Sequence, residues 1–302
     1  MNGDEGSVGK TDSRKALSIP AIKKHLTTKH VGRELHFAES LLSTNKTLIE
    51  KAQEGACHGT VVLAETQTGG RGRQRRLWYS PAGVNLYFSV LLRPAFSPDK
   101  APPITLASAV ATAEAVEIVT GVKPTLKWPN DLLLGKKKLS GILTEMSADT
   151  RKIRWIVLGV GLNVNTKEFP SELETIAQET IAQETITQET ITQKSTALKS
   201  IATSLRLYTG RCHPRELLLA TILERLEHWF TVLTEEGAAV VIDAWKAKPN
   251  ILGQLVTVKT AGKPNSLSGL AKDLDDDGAL LLETREGAVE RIISGDLVQN
   301  SP

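Results

Sequence analysis

Cysteine is nearly missing from this chain: 302 residues contain only Cys57 and Cys212, far apart and outside any Cys-x-x-Cys or Cys/His cluster. That argues against a disulfide framework or a structural zinc site and fits a reducing, cytoplasmic setting. Aromatic residues make up only 4%, too few for the interleaved aromatic and basic face of a nucleic-acid-binding module. The net charge of +3 is likewise too small for general nucleic-acid binding. No stretch approaches the roughly 18 consecutive apolar residues of a membrane span. The polar start, MNGDEGSVGKTDSRK, lacks the apolar core of a signal peptide.

What is present suits an ordinary globular protein, 40% hydrophobic and 24% charged. The length can hold one large domain and a small one without covalent staples. Residues 1–35 are polar apart from a short amphipathic piece at 19–26, and they read as an N-terminal tail. Ser43-Thr-Asn-Lys opens a helix with Leu48, Ile49 and Ala52 as its apolar stripe and Gly55 as its stop. Residues 61–64 and 84–92 read as strands, and residues 102–119 as a buried helix ended by Gly121. Three strand-like runs follow at 125–134, 139–147 and 153–164, joined by connections short enough for an antiparallel meander. Helical patterns return at 196–207, 214–233 and 238–245, with Leu217, Leu218, Ile222, Leu226 and Phe230 as the clearest stripe. Between meander and helices lie four near-identical pentapeptides, ETIAQ, ETIAQ, ETITQ and ETITQ, at 174–193. Five residues match neither the helical nor the strand period, so they read as a low-complexity insertion. From Asn250 onward, short strand-like runs broken by Asp276-Asp-Gly278 and Arg285-Glu-Gly287 suggest a small β-barrel. The pattern is α+β, with a mixed, mainly antiparallel sheet and segregated helices on one face.

The chemistry concentrates in Glu65-Thr-Gln-Thr-Gly-Gly-Arg-Gly-Arg-Gln-Arg-Arg-Leu-Trp78. Glycines allow close backbone approach, successive N–H groups can form an anion nest, and guanidinium forks bind phosphate or carboxylate. A clamp for a phosphorylated ligand and a basic loop touching nucleic acid both fit this stretch taken alone.

Three further motifs follow: Lys127-Trp-Pro-Asn-Asp131, Lys136-Lys-Lys-Leu-Ser-Gly-Ile-Leu143 and Leu158-Gly-Val-Gly-Leu-Asn163. With Ser43-Thr-Asn45 and the arginine loop, in this order, they resemble the biotin protein ligases (biotin–[acetyl-CoA-carboxylase] ligases) over about residues 31–300. The resemblance implies a class II synthetase-like catalytic domain at 36–248, holding the repeats, and an SH3-like β-barrel at 249–302. It implies an enzyme that makes biotinyl-5′-AMP from biotin and ATP with Mg²⁺. The biotinyl group then passes to a lysine of a biotin carboxyl carrier protein, in the cytoplasm. Homodimerisation is compatible with it. Bifunctional members carry an N-terminal winged helix-turn-helix; only the short tail precedes the catalytic domain here, so operator DNA binding is not expected.

Residue by residue, the resemblance assigns Ser43, Thr44, Asn45, Gln67, Gly141 and Asn163 to biotin. Gly70, Arg71, Gly72 and Arg73 become a loop closing over biotin and adenylate. Lys138 would bridge the biotin carboxylate and the α-phosphate, with Lys136 and Lys137 solvated. Lys138, Arg73 and Arg71 are the catalytic candidates. Trp78, Asn130 and Asp131 would face the nucleotide, and Asp131 would meet Mg²⁺. Each has a plainer reading: Ser43 as a helix cap, Gln67 as strand-end polarity, Trp78 as core, Asp131 as a turn residue. One departure stands out, since Arg75 replaces the last glycine of the usual loop. A lipoate or octanoate transferase of related fold is the alternative enzyme; it would want an apolar tunnel in place of Ser-Thr-Asn.

Overall fold

A computed structural model describes residues 16–170, 202–259 and 266–299. The pentapeptides, and residues 196–201 of the helical pattern after them, lie outside the described residues.

The larger unit is a seven-stranded sheet with spatial order β1-β2-β3-β7-β6-β5-β4. Its strands are β1 (Leu35–Leu41), β2 (Val61–Gln67), β3 (Leu86–Leu92), β4 (Thr125–Lys127), β5 (Asp131–Leu134), β6 (Lys137–Ala148) and β7 (Ile153–Leu162). Only β1 and β2 pair in parallel, and parallel neighbours need a crossover, supplied here by helix α2 (Thr44–Gln53). Every side chain of central strand β3 is buried, so it reads as an unbroken apolar run with no alternation. The antiparallel meander forms as expected, with one difference: 125–134 is a hairpin of two strands, turning at Trp128-Pro-Asn130. Proline removes a ladder donor and cannot sit mid-strand.

Because strand side chains alternate between faces, Val61 and Leu63 join the main core while Val62 joins a smaller one. The main core lies under α1 (Ile19–His25), α3 (Pro103–Thr120), α5 (Arg215–Glu235) and α6 (Ala238–Ala247). A short helix, α4 (Leu205–Thr209), precedes α5. The smaller core is built by Leu48 and Ala52 of α2 against Val62, Leu91 and Val157. Helices therefore cover one face, except α2, which covers the other. Among the described residues, the segment Pro98–Thr120 is long and apolar enough to cross a membrane, but 72% of its apolar 18-residue stretch is buried inside the fold, as in a core helix.

The N-terminal tail expectation fails for residues 16–35. Ser18 caps α1 through Ala21 N–H at 3.3 Å, and Leu17, Ile22, Leu26 and Val31 are buried in the main core. The Glu227 carboxylate of α5 accepts the N–H groups of Lys29, His30 and Val31 at 2.7, 2.6 and 2.9 Å. Seven helical residues are too few to display a 3.6-residue period, so the segment looks polar until its partner α5 is in place.

Five strands make the second sheet: β8 (Leu255–Lys259), β9 (Leu267–Leu274), β10 (Leu280–Thr284), β11 (Val289–Ile292) and β12 (Asp296–Gln299), in order β11-β10-β9-β8-β12. The two edge strands are consecutive in the chain. A three-residue link spans at most about 11 Å, so the sheet must curl to bring its edges together. This unit packs on the first through the Trp128 indole N–H, which donates to Gly278 O at 2.9 Å. Gly278 has φ 79°, and a Cβ there would stand 2.6 Å from Leu106 of α3; only glycine fits the turn.

Candidate active site

A cavity of about 650 Å³ opens on the sheet where the four sequence motifs converge. Strand order sets its length. Gln67 ends β2, whereas Lys127, Asp131 and Lys138 lie on β4, β5 and β6. From β2 to β6 is three strand spacings, about 14 Å.

At the β2 end is a network of hydroxyls and amides, backed by the Glu145 carboxyl. Gln67 Oε1 accepts from Thr44 N–H at 2.8 Å and from its hydroxyl at 3.2 Å, and Gln67 Nε2 donates to Ser80 at 3.3 Å. The Ser89 hydroxyl reaches Thr44 Oγ1 at 2.8 Å and Asn45 Oδ1 at 2.6 Å. Asn45 Nδ2 donates to Glu145 at 2.7 Å. Such a network fixes rotamers before any ligand arrives. Ser43 stands at the N-cap of α2, yet its side chain makes no capping bond. The plain helix-cap reading therefore fails for its hydroxyl, which lines the cavity.

The floor is made by glycines. A Cβ on Gly159 would lie 2.1 Å from Asn45 Oδ1, and one on Gly161 2.5 Å from the Trp78 indole. Gly141 would meet both Trp78, at 2.9 Å, and Lys138, at 3.0 Å. Trp78 is thus a cavity wall laid across glycine strands, and its buried indole N–H has no partner among the described residues.

The other end is cationic. Arg71, Arg73, Arg76, Lys127, Lys136 and Lys138 face it, against the carboxylates Asp131 and Asp296. Lys138 Nζ lies 2.6 Å from Asp131 Oδ1 and 5.4 Å from the Trp78 ring centre. Antiparallel pairing sets Lys127 opposite Asp131. Burial holds the Lys127 ammonium below the ordinary lysine value, although Asp131 opposes the shift. The Arg73 guanidinium donates to Asn130 Oδ1 at 3.2 Å and to Gly295 O at 3.1 Å. Arg76 lies 2.7 Å from Asp296, and Arg73 3.7 Å from it. The arginine loop is thereby tied to β12 of the small sheet. Gln74 takes φ 55° at the loop's tip, so the left-handed residue precedes Arg75, where the usual form has glycine.

The structure brings Ser43, Thr44, Asn45, Gln67, Arg71, Gly72, Arg73, Trp78, Asn130, Asp131, Lys138, Gly141 and Asn163 together around one cavity. Gly70 sits behind its rim: a Cβ there would approach Gln67 at 2.8 Å and Ser80 at 3.0 Å. The Asn163 amide is spent on Thr203 O at 3.0 Å, pinning the returning segment, whose Ala202 also lines the cavity. Lys136 is exposed, as expected, at the mouth of the cavity that it helps to line. Sequence reasoning missed Lys127, Arg76 and Asp296. The first two sit inside motifs already noticed; Asp296 is 220 residues from Arg76 in the chain and has no local signal.

For Mg²⁺, Asp131 offers a hard oxygen that is buried and close to Lys138 without a well-directed hydrogen bond. Mg²⁺ on a nucleotide needs only one or two protein carboxylates, so these residues fit it.

An end of hydroxyls and amides, a glycine floor and a cationic end define a site that joins a small uncharged ring to an anionic, phosphorylated group. Comparison with known proteins makes this specific. The chain matches the Biotin/lipoate A/B protein ligase family over residues 37–163 and the Biotin protein ligase C terminal domain over 251–298. It is 34% identical to the bifunctional ligase/repressor BirA of Bacillus subtilis, over 93% of this chain and 78% of that protein. It is 30% identical to the biotin–[acetyl-CoA-carboxylase] ligase of Mycobacterium tuberculosis, over 94% and 98%. Among solved structures, biotin protein ligase from Aquifex aeolicus in complex with biotin and ATP superposes with a TM-score of 0.70 at 28% identity, covering 89% of this chain and 100% of that one. The chain belongs to the biotin protein ligase family.

Proposed function

We infer that this protein is an ATP-dependent biotin–protein ligase, joining biotin to AMP and then to a carrier lysine. The observation that carries the reading is the cavity itself, in a chain of this family: ureido-matching hydroxyls and amides at one end, six cations at the other.

In the first step a biotin carboxylate oxygen attacks the α-phosphorus of ATP, and pyrophosphate leaves. Two anions must be brought together, so fixed positive charge is the appropriate catalyst. Ser43, Thr44, Asn45 and Gln67 orient the ring, with Ser43 contributing a hydroxyl not already committed to capping. Lys138, held by Asp131, stands where carboxylate and phosphate meet. Arg71 and Arg73 cover the intermediate and exclude water from the mixed anhydride, while Trp78 offers a face to the adenine. Asp131 would hold Mg²⁺, which when bound neutralises phosphate charge, while Asn130 stays bonded to Arg73 beside it. In the second step the carrier supplies its own amine, so no internal nucleophile is required. The partner is the biotin carboxyl carrier domain of acetyl-CoA carboxylase or a related carboxylase. The exposed free thiols Cys57 and Cys212 support a reducing, cytoplasmic location. Nucleic-acid binding by the arginine loop is not part of this reading, because Arg73 and Arg76 are turned onto Asp296 and the cavity.

Pyrophosphate release with ATP plus biotin, lipoate or no acid tests the assignment. Only biotin is expected to support it, and release with lipoate alone would replace the reading by the acyl-transferase one. Lys138→Ala should lose about 3–4 kcal/mol of transition-state stabilisation while Lys136→Ala stays near wild type. Equal losses at both positions would remove Lys138 from its role.

A further inference from the structure

Behind the hydroxyls and amides that line the β2 end of the cavity stand two further side chains, Ser89 of β3 and Glu145 of β6. Asn45 lies between them. Gly159 of β7 makes room for it, paired with Ser89 on one side and with Leu143 on the other. We propose that Glu145 is a positioning residue: by fixing the Asn45 amide it leaves the Thr44 hydroxyl one donor short, and so tunes the site to a ring that carries N–H groups.

Within the ligase reading, on which this proposal rests, the protons of the network can be counted. An amide offers oxygen on one side and NH2 on the other, nearly alike in shape. Asn45 Nδ2 lies 2.7 Å from the Glu145 carboxylate and 3.3 Å from Leu143 O. A carboxylate and a backbone carbonyl accept and do not donate. The NH2 must therefore face them, and Oδ1 must face Ser89. Ser89 has one hydroxyl proton and two acceptors within reach, Asn45 Oδ1 at 2.6 Å and Thr44 Oγ1 at 2.8 Å. The nearer amide oxygen takes it.

Thr44 directs its own proton to Gln67 Oε1 at 3.2 Å. Its oxygen is thus left as an acceptor short of a donor, on the cavity wall and only 3% exposed. A buried acceptor in that state is costly, and a ligand N–H relieves it. A ureido ring brings two such groups, whereas a dithiolane ring or a plain acyl chain brings none. Were Asn45 turned over, its NH2 would donate to Ser89 and the Ser89 proton would pass to Thr44. The shortfall would close, and with it the preference for an N–H ligand.

Glu145→Gln in the full chain tests this. It keeps the shape but supplies an amide that can turn its NH2 toward Asn45. The Kd for biotin, read by isothermal titration calorimetry, should rise about fivefold, as for one lost hydrogen bond. Desthiobiotin keeps both ring N–H groups and should lose the same factor. KM for ATP should stay within about twofold of wild type, and Tm within about 2 °C. Ser89→Ala removes the contested proton, so Thr44 Oγ1 stays open whichever way Asn45 faces. In that background Glu145→Gln should therefore change biotin affinity by less than about twofold, whereas two independent packing losses would add. Unchanged biotin affinity in Glu145→Gln, or additive losses in the double variant, would overturn the proposal. Pyrophosphate release is followed in parallel: a wild-type chain that binds biotin without releasing any would sink the ligase reading instead.

Discussion

Two arginine–carboxylate contacts join distant parts of this molecule, and they differ in completeness. Arg215 at the start of α5 meets Glu65 of β2 with both groups about 5% exposed. Glu65 accepts from two Arg215 nitrogens at 2.9 and 3.1 Å, from Gly83 N–H at 2.9 Å and from Leu17 N–H. Arg215 also donates to Asn85 O at 3.0 Å. Arg76 and Arg73 meet Asp296 at the cavity edge, where Arg76 is 58% exposed and Asp296 Oδ2 has no well-directed hydrogen bond. The first pair replaces water on every side and acts as a brace. The second leaves charge unsatisfied beside the cationic cavity, so an arriving phosphate can compete for its arginines. Completeness of hydrogen bonding separates the structural arginine from the candidate functional ones; charge does not.

The comparison is broken most easily at the brace. Arg215→Ala strands a buried carboxylate and should cost about 3–5 kcal/mol, a fall in Tm of roughly 10 °C. Glu65→Leu combined with Arg215→Met should recover much of that, because apolar replacement of a buried pair is often near neutral. A loss below about 1 kcal/mol for Arg215→Ala in thermal unfolding would show that water reaches Glu65. At the cavity edge the pattern should invert. Asp296→Asn should move Tm by less than about 3 °C, as for a partly exposed pair. Its KM for ATP should rise several-fold, because the arginine loop loses its tether to β12. An unchanged KM would reduce this contact to decoration.

The same contrast explains what could be read from the sequence. The loop arginines were legible because they cluster among glycines within ten residues, and Lys138 because its motif is local. The meander and the helices α3, α5 and α6 were legible because their apolar periods run long enough to show. Asp296 and Arg215 were not, since each acquires meaning only from a residue at least 150 positions away. Residues 16–35 were misread for a related reason: Leu17, Ile22 and Val31 become core only once Glu65 and Glu227 bind their backbone. Strand β12 was passed over because four residues carry too little pattern.

Gln74 offers a smaller test of the loop. A side chain at φ 55° costs on the order of 1 kcal/mol that glycine does not incur. Gln74→Gly should therefore raise Tm by about 2 °C, although it gives up the 3.1 Å bond from Arg76. If strain there maintains the loop in its tethered form, adenylate retention should weaken in the same variant. A lower Tm would mean that the Gln74–Arg76 bond outweighs the backbone term.

The smallest expected effect probes the brace from its neighbour. His213 lies two residues before Arg215 and is 6% exposed. Its backbone N–H donates to Asn165 Oδ1 at 2.8 Å, Asn165 Nδ2 donates to His213 O at 2.9 Å, and its Nε2 lies 2.8 Å from Thr209 Oγ1. Burial, with help from nearby Arg211, holds the imidazole below the ordinary histidine value of 6.5. The folded state therefore prefers the neutral ring, and the unfolded chain binds the proton more readily. The stability this contributes is fully present above pH 6.5 and is lost as pH falls through the depressed folded value. Urea midpoints measured at pH 7.5 and 5 should fall further in wild type than in His213→Gln, which has no proton to take up. Equal losses in the two proteins would show that the ring is hydrated in the fold, and that the dry brace ends at Arg215 itself.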